Sequence, residues 1–264
     1  MHWVIQDNLH KDKATLCLID NLEKFKIDHT LVKVIPFIGE IDPDINPINP
    51  VICIGSYSFR HVAKRKNWNP GVFDIGHIHY HQYPEKWKSH LINNDSIYCT
   101  MNEVLNHFET KEDQGVVFVR PSVDSKFING NIYTKKEIED IINGLSRIEP
   151  DPSGLLLSSP MMISSPKNIL YEYRFWVVDK EIITWSLYKR GEKVIYSNDI
   201  DIDILDFAKS VIKDVNFSRA YVIDIAKLPD NSFKIIETNT FNSSGFYAAD
   251  IQKIIFAIED MLGY

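Results

Sequence analysis

Two apolar segments, residues 221–226 and 233–239, place the tightest limit on how this chain folds. The Pro-Asp-Asn turn between them predicts an antiparallel hairpin. Asp224 lies in the middle of the first strand, where a carboxylate is costly unless it is paired or bound to a metal. Glu237 and Asn239 are two residues apart on the second strand and share one of its faces. Three oxygen donors on adjacent strands suit Mg²⁺, and the alternative is a solvent-facing strand end with three polar residues.

Cationic side chains lie on other predicted strands. Arg120 closes an apolar run, while Arg174 and Lys189 lie within aromatic-rich strands. Cations in apolar surroundings need anionic partners, and a triphosphate would meet the need of all three, with arginine making bidentate contacts. Lys126, in the polar loop after Arg120, would add a fourth. For Arg174 the alternative is a structural ion pair with Glu172, which shares its strand face.

The rest of the chain is predicted to mix helices and strands. Helical periodicity and capping residues predict helices at 15–25, 59–66, 100–108, 134–145, 204–213 and 247–262. Short apolar or β-branched runs predict further strands at 4–5, 31–35, 51–56, 116–121, 155–157, 171–178 and 181–189. The segment 40–50 is rich in Pro and Asp and is predicted to have no regular structure. The fold class is therefore α/β (α+β).

Composition argues against several classes of protein. The 264 residues are 44% hydrophobic and 12% aromatic, which excludes general disorder, and the net charge of −7 argues against wholesale nucleic-acid binding. No apolar run approaches the ~20 residues that span a bilayer, so no membrane partner is expected. The cysteines, Cys17, Cys53 and Cys99, are far apart and odd in number, which predicts reduced core residues in a cytoplasmic protein.

From about residue 95 to residue 264, the order of the predicted elements resembles the ATP-grasp superfamily. The similarity is strongest in the sequence Ile-Ile-Glu-Thr-Asn-Thr at 235–240, which an Asn, two Ser and a Gly follow after one residue. In that family, acidic and amide side chains at these places hold two Mg²⁺ ions over the triphosphate of ATP. The resemblance therefore implies that Asp224, Glu237 and Asn239 are metal ligands.

The resemblance also implies a fold and a nucleotide site. An N-terminal α/β domain, residues 1–92, would precede two lobes, residues 93–264, whose mainly antiparallel sheet clasps ATP. Arg120 stands where the family usually has a lysine, which resembles a divergent, arginine-rich clade of bacteria and phages. The loop after it holds a single glycine, Gly130, where the family has a glycine-rich lid. The residues implied to bind ATP are Arg120, Lys126, Arg174 and Lys189, together with Ser158, Ser159, Met161 and Met162 at the hinge that meets adenine.

The chemistry implied by the resemblance is ligation. A substrate carboxylate would attack the γ-phosphate to give an acyl-phosphate, an amine or similar nucleophile would take the acyl group, and Arg174 and Lys189 would be the catalytic cations. Substrate is expected at Ser243, Ser244 and Gly245. The expected partner is a small molecule or peptide with a carboxylate and a nucleophile. The alternatives are a kinase-like phosphotransferase on the same fold and a non-catalytic nucleotide-binding module.

Three histidines, His77, His79 and His81, fall on one face of a strand-like segment. They would suit a transition-metal site, but no Cys or acidic residue lies at a spacing typical of a further metal ligand. We therefore expect them to lie on the surface or to line the substrate site.

Overall fold

One of the two packing units of this chain is assembled from separate stretches of sequence. The computed structural model describes residues 1–9, 13–35, 39–75, 82–122, 128, 130–147, 149, 154–213, 215 and 217–264. The first unit combines Met1–Ile75 with Ile169–Tyr264, and the second is the intervening Gly76–Asn168. The mixed α/β class is confirmed. The predicted boundary at residue 92 separates two domains of the family, whereas the units described here are defined by packing within the chain. That boundary therefore stays a prediction.

The N-terminal sheet of the first unit is mainly parallel. Its elements are β1 (His2–Gln6), α1 (Lys13–Lys24), β2 (His29–Ile35), β3 (Glu40–Asp42), β4 (Val51–Ile54), α2 (Phe59–Arg65) and β5 (Pro70–Gly71), in the strand order β3-β2-β1-β4-β5. The central strand β1 buries Trp3, Val4 and Ile5 in succession, as expected for a parallel strand covered on both faces. The β3 strand corrects the prediction for 40–50. Ile41 is buried between two exposed residues, and this alternation pairs β3 with the edge of β2.

The second unit is built on an antiparallel sheet. Its elements are 3₁₀ helices at Glu85–His90 and Met101–His107, β6 (Ile97–Thr100), α3 (Phe108–Lys111), β7 (Val116–Pro121), β8 (Asn131–Thr134), α4 (Lys135–Leu145) and β9 (Pro160–Ser164), in the strand order β6-β9-β7-β8. Two predicted capping boxes are confirmed: Thr100 with Glu103, and Thr134 with Glu137. They fix where the helical segments begin.

The strand predicted at 155–157 is wrong, and a turn occupies this segment. The backbone N–H of Ser159 donates to the Leu156 carbonyl at 3.0 Å, and the Leu156 N–H donates to Ser159 Oγ at 2.9 Å. These two hydrogen bonds close the turn and leave the pairing strand to begin at Pro160. The apolar side chains of the run still serve the fold, because Leu155 packs against the core of the second unit.

A partly buried ionic contact fastens the start of the second unit to the segment after β9. Asp95 Oδ1 accepts from Lys167 Nζ at 2.9 Å, and Asp95 Oδ2 accepts from the Ser165 N–H at 3.0 Å. Burial alone would raise the pKa of Asp95, but the hydrogen bonds from Lys167 and Ser165 outweigh it and lower the pKa. The carboxylate form is therefore the stabilising one.

Asp95→Asn should reduce the free energy of unfolding at pH 7 by about 1 kcal/mol, a modest value because the pair is partly solvated. Because the pKa of Asp95 is lower in the folded state, its carboxylate stabilises the protein at pH values above the unfolded-state pKa of about 3.9. This stability is lost as the pH falls through the folded-state pKa. The difference between variant and parent should thus shrink below pH 4 in urea titrations. Glu109→Gln, which breaks the exposed Lys135–Glu109 pair, is the control and should leave the free energy of unfolding nearly unchanged. Equal losses in both variants would contradict the assignment.

The C-terminal sheet of the first unit is antiparallel. Its elements are β10 (Tyr171–Val178), β11 (Glu181–Arg190), β12 (Lys193–Ser197), α5 (Ile202–Ile212), β13 (Ala220–Lys227), β14 (Phe233–Thr240) and α6 (Ile251–Leu262), in the strand order β12-β11-β10-β13-β14. Both predicted hairpins are confirmed. The last helix begins four residues later than predicted, because Asp250 caps it by accepting from the Lys253 N–H at 3.1 Å.

The two sheets of the first unit share one hydrophobic core. The N-terminal strand and helix contribute Trp3 and Leu18, and the C-terminal part contributes Trp176, Phe241 and Ile254. All five side chains are at most 1% exposed. The indole N–H of Trp3 also donates to Glu259 of α6 at 2.8 Å. The first unit is therefore a single hydrophobic body built from residues more than 200 positions apart.

The cysteines only partly match their prediction. All three are free; Cys53 is buried, Cys99 is half-buried, and Cys17 is exposed on α1, so it is not a core residue. Helix α1 turns Leu18 and Leu22 inward instead, which leaves the preceding position on the solvent side. Among the described residues, no helix combines the length and apolar character needed to cross a membrane.

Candidate active site

Two neighbouring strands of the C-terminal sheet bring the predicted metal ligands together. Asp224 on β13 lies opposite Arg174 on β10 and opposite Glu237 on β14. The Asn239 side chain completes the group: its Nδ2 is 3.3 Å from Asp224 Oδ2 and 3.1 Å from Glu237 Oε1. A register shift follows the Asp224–Glu237 pair, with two residues of β14 advancing against one of β13. We define Asp224, Glu237 and Asn239 as the acidic row.

Asp224 and Arg174 form a buried bidentate ion pair. Arg174 Nε donates to Asp224 Oδ1 at 2.9 Å, and Arg174 Nη2 donates to Oδ2 at 2.8 Å. The two side chains are 2% and 9% exposed, so water hardly screens the pair. Burial is the largest effect on the Asp224 carboxyl and raises its pKa, aided by Glu237 and opposed by Arg174. Burial lowers the pKa of the guanidinium, but Asp224 more than compensates and raises it.

This pairing corrects the alternative that the sequence offered. Arg174 pairs across the sheet with Asp224, and Glu172 pairs instead with Lys189, whose Nζ is 2.9 Å from Glu172 Oε1. The Tyr188 hydroxyl donates to the other Glu172 oxygen at 2.8 Å. Burial and the nearby carboxylates of Asp224 and Glu172 raise the pKa of Tyr188 well above its usual value, so it remains a donor. Both predicted catalytic cations are therefore held by carboxylates of the same sheet.

An aromatic stack beside Arg174 was not predicted. Tyr247 stacks on Tyr188 with ring centroids 5.1 Å apart, and Tyr196 stacks on Tyr247 at the same distance. The Arg174 guanidinium lies 4.9 Å from the Tyr247 ring and 5.5 Å from the Tyr188 ring, within range of cation–π attraction. Tyr247 has a φ of 54°, which a tyrosine rarely adopts. No local sequence pattern signals this stack, because its members come from three separate elements.

The predicted substrate turn adjoins this group. Arg174 Nη1 donates to the Gly245 carbonyl at 3.3 Å, and a Cβ at Gly245 would come within 3.2 Å of the Tyr247 ring. Ser244 Oγ donates to the Thr240 carbonyl at 2.8 Å, and Ser243 is exposed. The close approach of Tyr247 explains why glycine suits position 245. The turn therefore belongs to the same side-chain group as the acidic row.

The residues of the second unit that were predicted to bind the nucleotide lie in different places. Some are neighbours across the strands of the sheet, and one belongs to the hydrophobic core. Arg120, Met162 and Tyr98 lie opposite one another across β7, β9 and β6. Burial raises the pKa of Tyr98 to about 12, and Arg120 opposes that shift. Met161 points into the hydrophobic core of the unit, so its side chain is not available to a ligand. Ser158 is exposed in the turn before β9.

Other predicted positions are less informative. Ser159 closes the turn described above, and its hydroxyl is used there. Lys126 and the three histidines at 77, 79 and 81 lie outside the described residues. Within the described ranges, no group of three or more His, Cys, Asp or Glu side chains has the arrangement of a metal site. The acidic row has two carboxylates and one amide.

The order of elements, the acidic row and the cation-bearing strands together match one family. The sequence profile of the ATP-grasp domain, R(2)K clade family 3, matches residues 54–258. The chain belongs to the ATP-grasp superfamily. A search of curated proteins found no significant match.

Solved structures support the ATP-grasp fold over the whole chain. The D-cycloserine synthetase DcsG matches with a TM-score of 0.62 and 9% identity, over 99% of this chain and 100% of that one. D-alanyl-alanine synthetase A from Vibrio cholerae matches with a TM-score of 0.61 and 9% identity, over 100% and 98%. The ATP-grasp ligase PsnB, complexed with a minimal precursor, matches with a TM-score of 0.57 and 13% identity, over 98% and 99%. The expected ATP-grasp fold is confirmed.

The ATP-grasp fold implies Mg²⁺, and the acidic row fits this ion. The Asn239 amide lies within hydrogen-bond distance of both carboxylates, so the three side chains converge on one place. Hard oxygen ligands are what Mg²⁺ prefers, and a rotated Asn239 amide would offer its oxygen as the third. Asp224 accepts one bond from Arg174 on each oxygen, so a rotated Asn239 amide, which no longer donates to Oδ2, would leave a further lone pair on both oxygens.

Proposed function

We propose that this ATP-grasp protein is an ATP- and Mg²⁺-dependent ligase, which activates a carboxylate and joins it to an amine or similar nucleophile. The observation that carries the proposal is the convergence of Asp224, Glu237 and Asn239 beside the buried Arg174. PsnB, DcsG and D-alanyl-alanine synthetase A, which share the fold, are named as a ligase and synthetases, and PsnB was also captured with Mg and ADP. A non-catalytic module would have no need of this donor set.

The charged residues have separate tasks in this scheme. Arg174 and Lys189 in the first unit would bind the phosphates of ATP and stabilise the charge that develops during transfer. Arg120, in the second unit, remains a separate prediction as a phosphate ligand. Arg174 is positioned by Asp224, and Lys189, whose side chain is 39% exposed, by Glu172. Mg²⁺, when bound by the acidic row, would supply additional charge neutralisation on the phosphoryl oxygens. Mg²⁺ held by the acidic row would place a positive charge directly beside Asp224 and favour its ionised form.

The proposed reaction needs no nucleophile from the protein. A substrate carboxylate oxygen forms a bond to the γ-phosphorus while the bond to the β–γ bridging oxygen breaks, which gives ADP and an acyl-phosphate. The amine nitrogen of the acceptor then bonds to the acyl carbon, phosphate leaves with the C–O bond electrons, and the amine loses a proton. Ser243, Ser244 and Gly245 would position the substrate next to the phosphates.

Calorimetry and a trapping assay test this function together. The purified protein should bind ATP in the micromolar range with Mg²⁺ and more weakly without it. With ATP, Mg²⁺ and a panel of amino acids and acidic peptides, hydroxylamine should convert the acyl-phosphate of a true substrate into a hydroxamate, with equimolar ADP. ADP release with a phosphorylated product and no hydroxamate would favour phosphotransfer to a hydroxyl. An absence of ATP binding in both conditions would refute the nucleotide site.

A further inference from the structure

A basic groove lies beside α2, in the N-terminal part of the first unit. It is open to solvent, has a volume of about 280 Å³, and its lining includes Arg60, His61, Lys64, Trp68 and Asp74. Arg60 and Lys64 are four residues apart and therefore share one side of the helix. The volume is close to the lower end of the usual range for ligand sites. We call this the α2 groove.

The α2 groove carries a positive charge that the described residues do not neutralise. Among the described residues, neither Arg60 nor Lys64 forms an ion pair with a carboxylate. The Arg60 guanidinium lies 3.7 Å from the Tyr57 ring, so it is held in place by an aromatic face. Asp74 contributes one carboxylate against these two permanent cations. The groove is therefore locally positive on a chain whose net charge is −7.

The groove adjoins the predicted substrate turn. A small crevice of about 10 Å³ is lined by Ser243 and Asn242 on one side and by Ser56 on the other. Arg60 and Asp74 line both the crevice and the groove, so the two are neighbours. A peptide that lies along α2 would therefore come close to Ser243.

Asn242 holds together the backbone segments around the crevice. Its Oδ1 accepts from the Phe73 N–H at 2.6 Å, and its Nδ2 donates to the Cys53 carbonyl at 2.5 Å. The Gly55 N–H in turn donates to the Asn242 carbonyl at 2.9 Å. The end of β4, the segment before Asp74 and the turn after β14 are thereby tied together. The crevice beside Ser243 is preorganised by these buried hydrogen bonds.

We propose that the α2 groove binds an acidic segment of a peptide substrate whose reacting group lies near Ser243. This inference rests on the ligase function proposed above. Carboxylates of the segment would pair with Arg60 and Lys64, His61 would offer a further donor, and Trp68 would provide an apolar wall. A peptide fits better than a nucleic acid, because two permanent cations are too few to follow a phosphate backbone.

Fluorescence anisotropy on the full chain tests the proposal directly. Labelled hexaglutamate should bind the parent at low ionic strength, hexaglutamine should bind more weakly, and added NaCl should reduce the binding of hexaglutamate. Arg60→Gln/Lys64→Gln should raise the Kd for hexaglutamate roughly 10-fold, as expected for the loss of two charge-assisted contacts. Lys64→Gln alone, at an exposed position, should raise the Kd for hexaglutamate by roughly half as much on a logarithmic scale.

The matched control is Lys209→Gln/Lys213→Gln. Both lysines are exposed at the i, i+4 spacing on and just after α5, and their removal changes the net charge by the same amount. Its Kd should equal that of the parent. The proposal is overturned if both double variants lose affinity equally, if the parent does not bind hexaglutamate, or if hexathymidylate binds the parent more tightly. Calorimetry of the parent with ATP is a separate readout. If the parent does not bind ATP, the ligase function is refuted. If Arg60→Gln/Lys64→Gln keeps the parent's Kd for hexaglutamate, the groove proposal alone is refuted.

Discussion

Arg174→Met should reduce the free energy of unfolding by about 3–5 kcal/mol, because it leaves the Asp224 carboxylate buried without its cation. The bidentate contact at 2.8 and 2.9 Å is nearly shielded from water, and only the weaker Asn239 amide contact would remain. Urea titration of the parent and the variant at pH 7 measures the loss. The same variant removes a proposed phosphate ligand, so ATP affinity should fall as well.

The pH dependence of this loss has a defined sign. Burial raises the folded-state pKa of Asp224, and removing Arg174 removes the main opposing effect, so the pKa should rise further. A carboxyl whose pKa is raised in the folded state destabilises the protein at pH values above its unfolded-state pKa. This destabilisation disappears as the pH falls. The deficit of Arg174→Met should therefore shrink between pH 7 and pH 4. A deficit that stays constant over this range would show that Asp224 is not its source.

Two further variants sharpen the test of the ion pair. Arg219→Met breaks an equally bidentate pair with Asp179, at 2.8 and 2.5 Å, whose side chains are about half exposed. That loss should be about 1 kcal/mol or less. Arg174→Met/Asp224→Leu replaces the whole buried pair with apolar side chains and should recover much of the stability lost in the single variant. A double variant as unstable as Arg174→Met would contradict the account.

Glu237→Gln should reduce Mg²⁺-dependent ATP turnover by about 100-fold or more, since metal charge stabilisation is worth several kcal/mol in the transition state. The amide keeps the shape of the side chain and an oxygen that Asn239 Nδ2 can still contact. Stability should be unchanged or slightly higher, because the Glu237 charge helps to raise the pKa of Asp224. Turnover is measured as ADP release over a range of Mg²⁺ concentrations, and the thermal midpoint reports stability.

The control for this variant lies in the same sheet. Glu181→Gln makes the same chemical change at the far end of the β10–β11 hairpin, where the side chain is exposed. Its turnover and its Mg²⁺ dependence should match those of the parent. If Glu237→Gln behaves like Glu181→Gln in both respects, the metal assignment of the acidic row is wrong.

Most of the correct predictions from sequence were based on local patterns. The acidic row depends on a single hairpin, so the spacing of Glu237 and Asn239 and the position of Asp224 were enough to predict its place. Capping boxes at Thr100 and Thr134 were equally local. Such features need no knowledge of how distant strands pair.

The partner of Arg174 depended on non-local information. Glu172 is two residues away on the same strand face, whereas Asp224 is fifty residues away and reaches Arg174 only through the register of β10 with β13. The sequence does not display that register. The stack of Tyr188 and Tyr247 was missed for the same reason.

The discontinuous first unit has a consequence for how the protein folds during translation. The second unit occupies one stretch and is complete once residue 168 has left the ribosome. Strand β1, by contrast, must wait for α6, because Trp3 packs in a core with Ile254 and donates its indole N–H to Glu259. The order of synthesis therefore favours early folding of the inserted unit, while the face of the N-terminal sheet that packs on α6 stays exposed until the last helix is made.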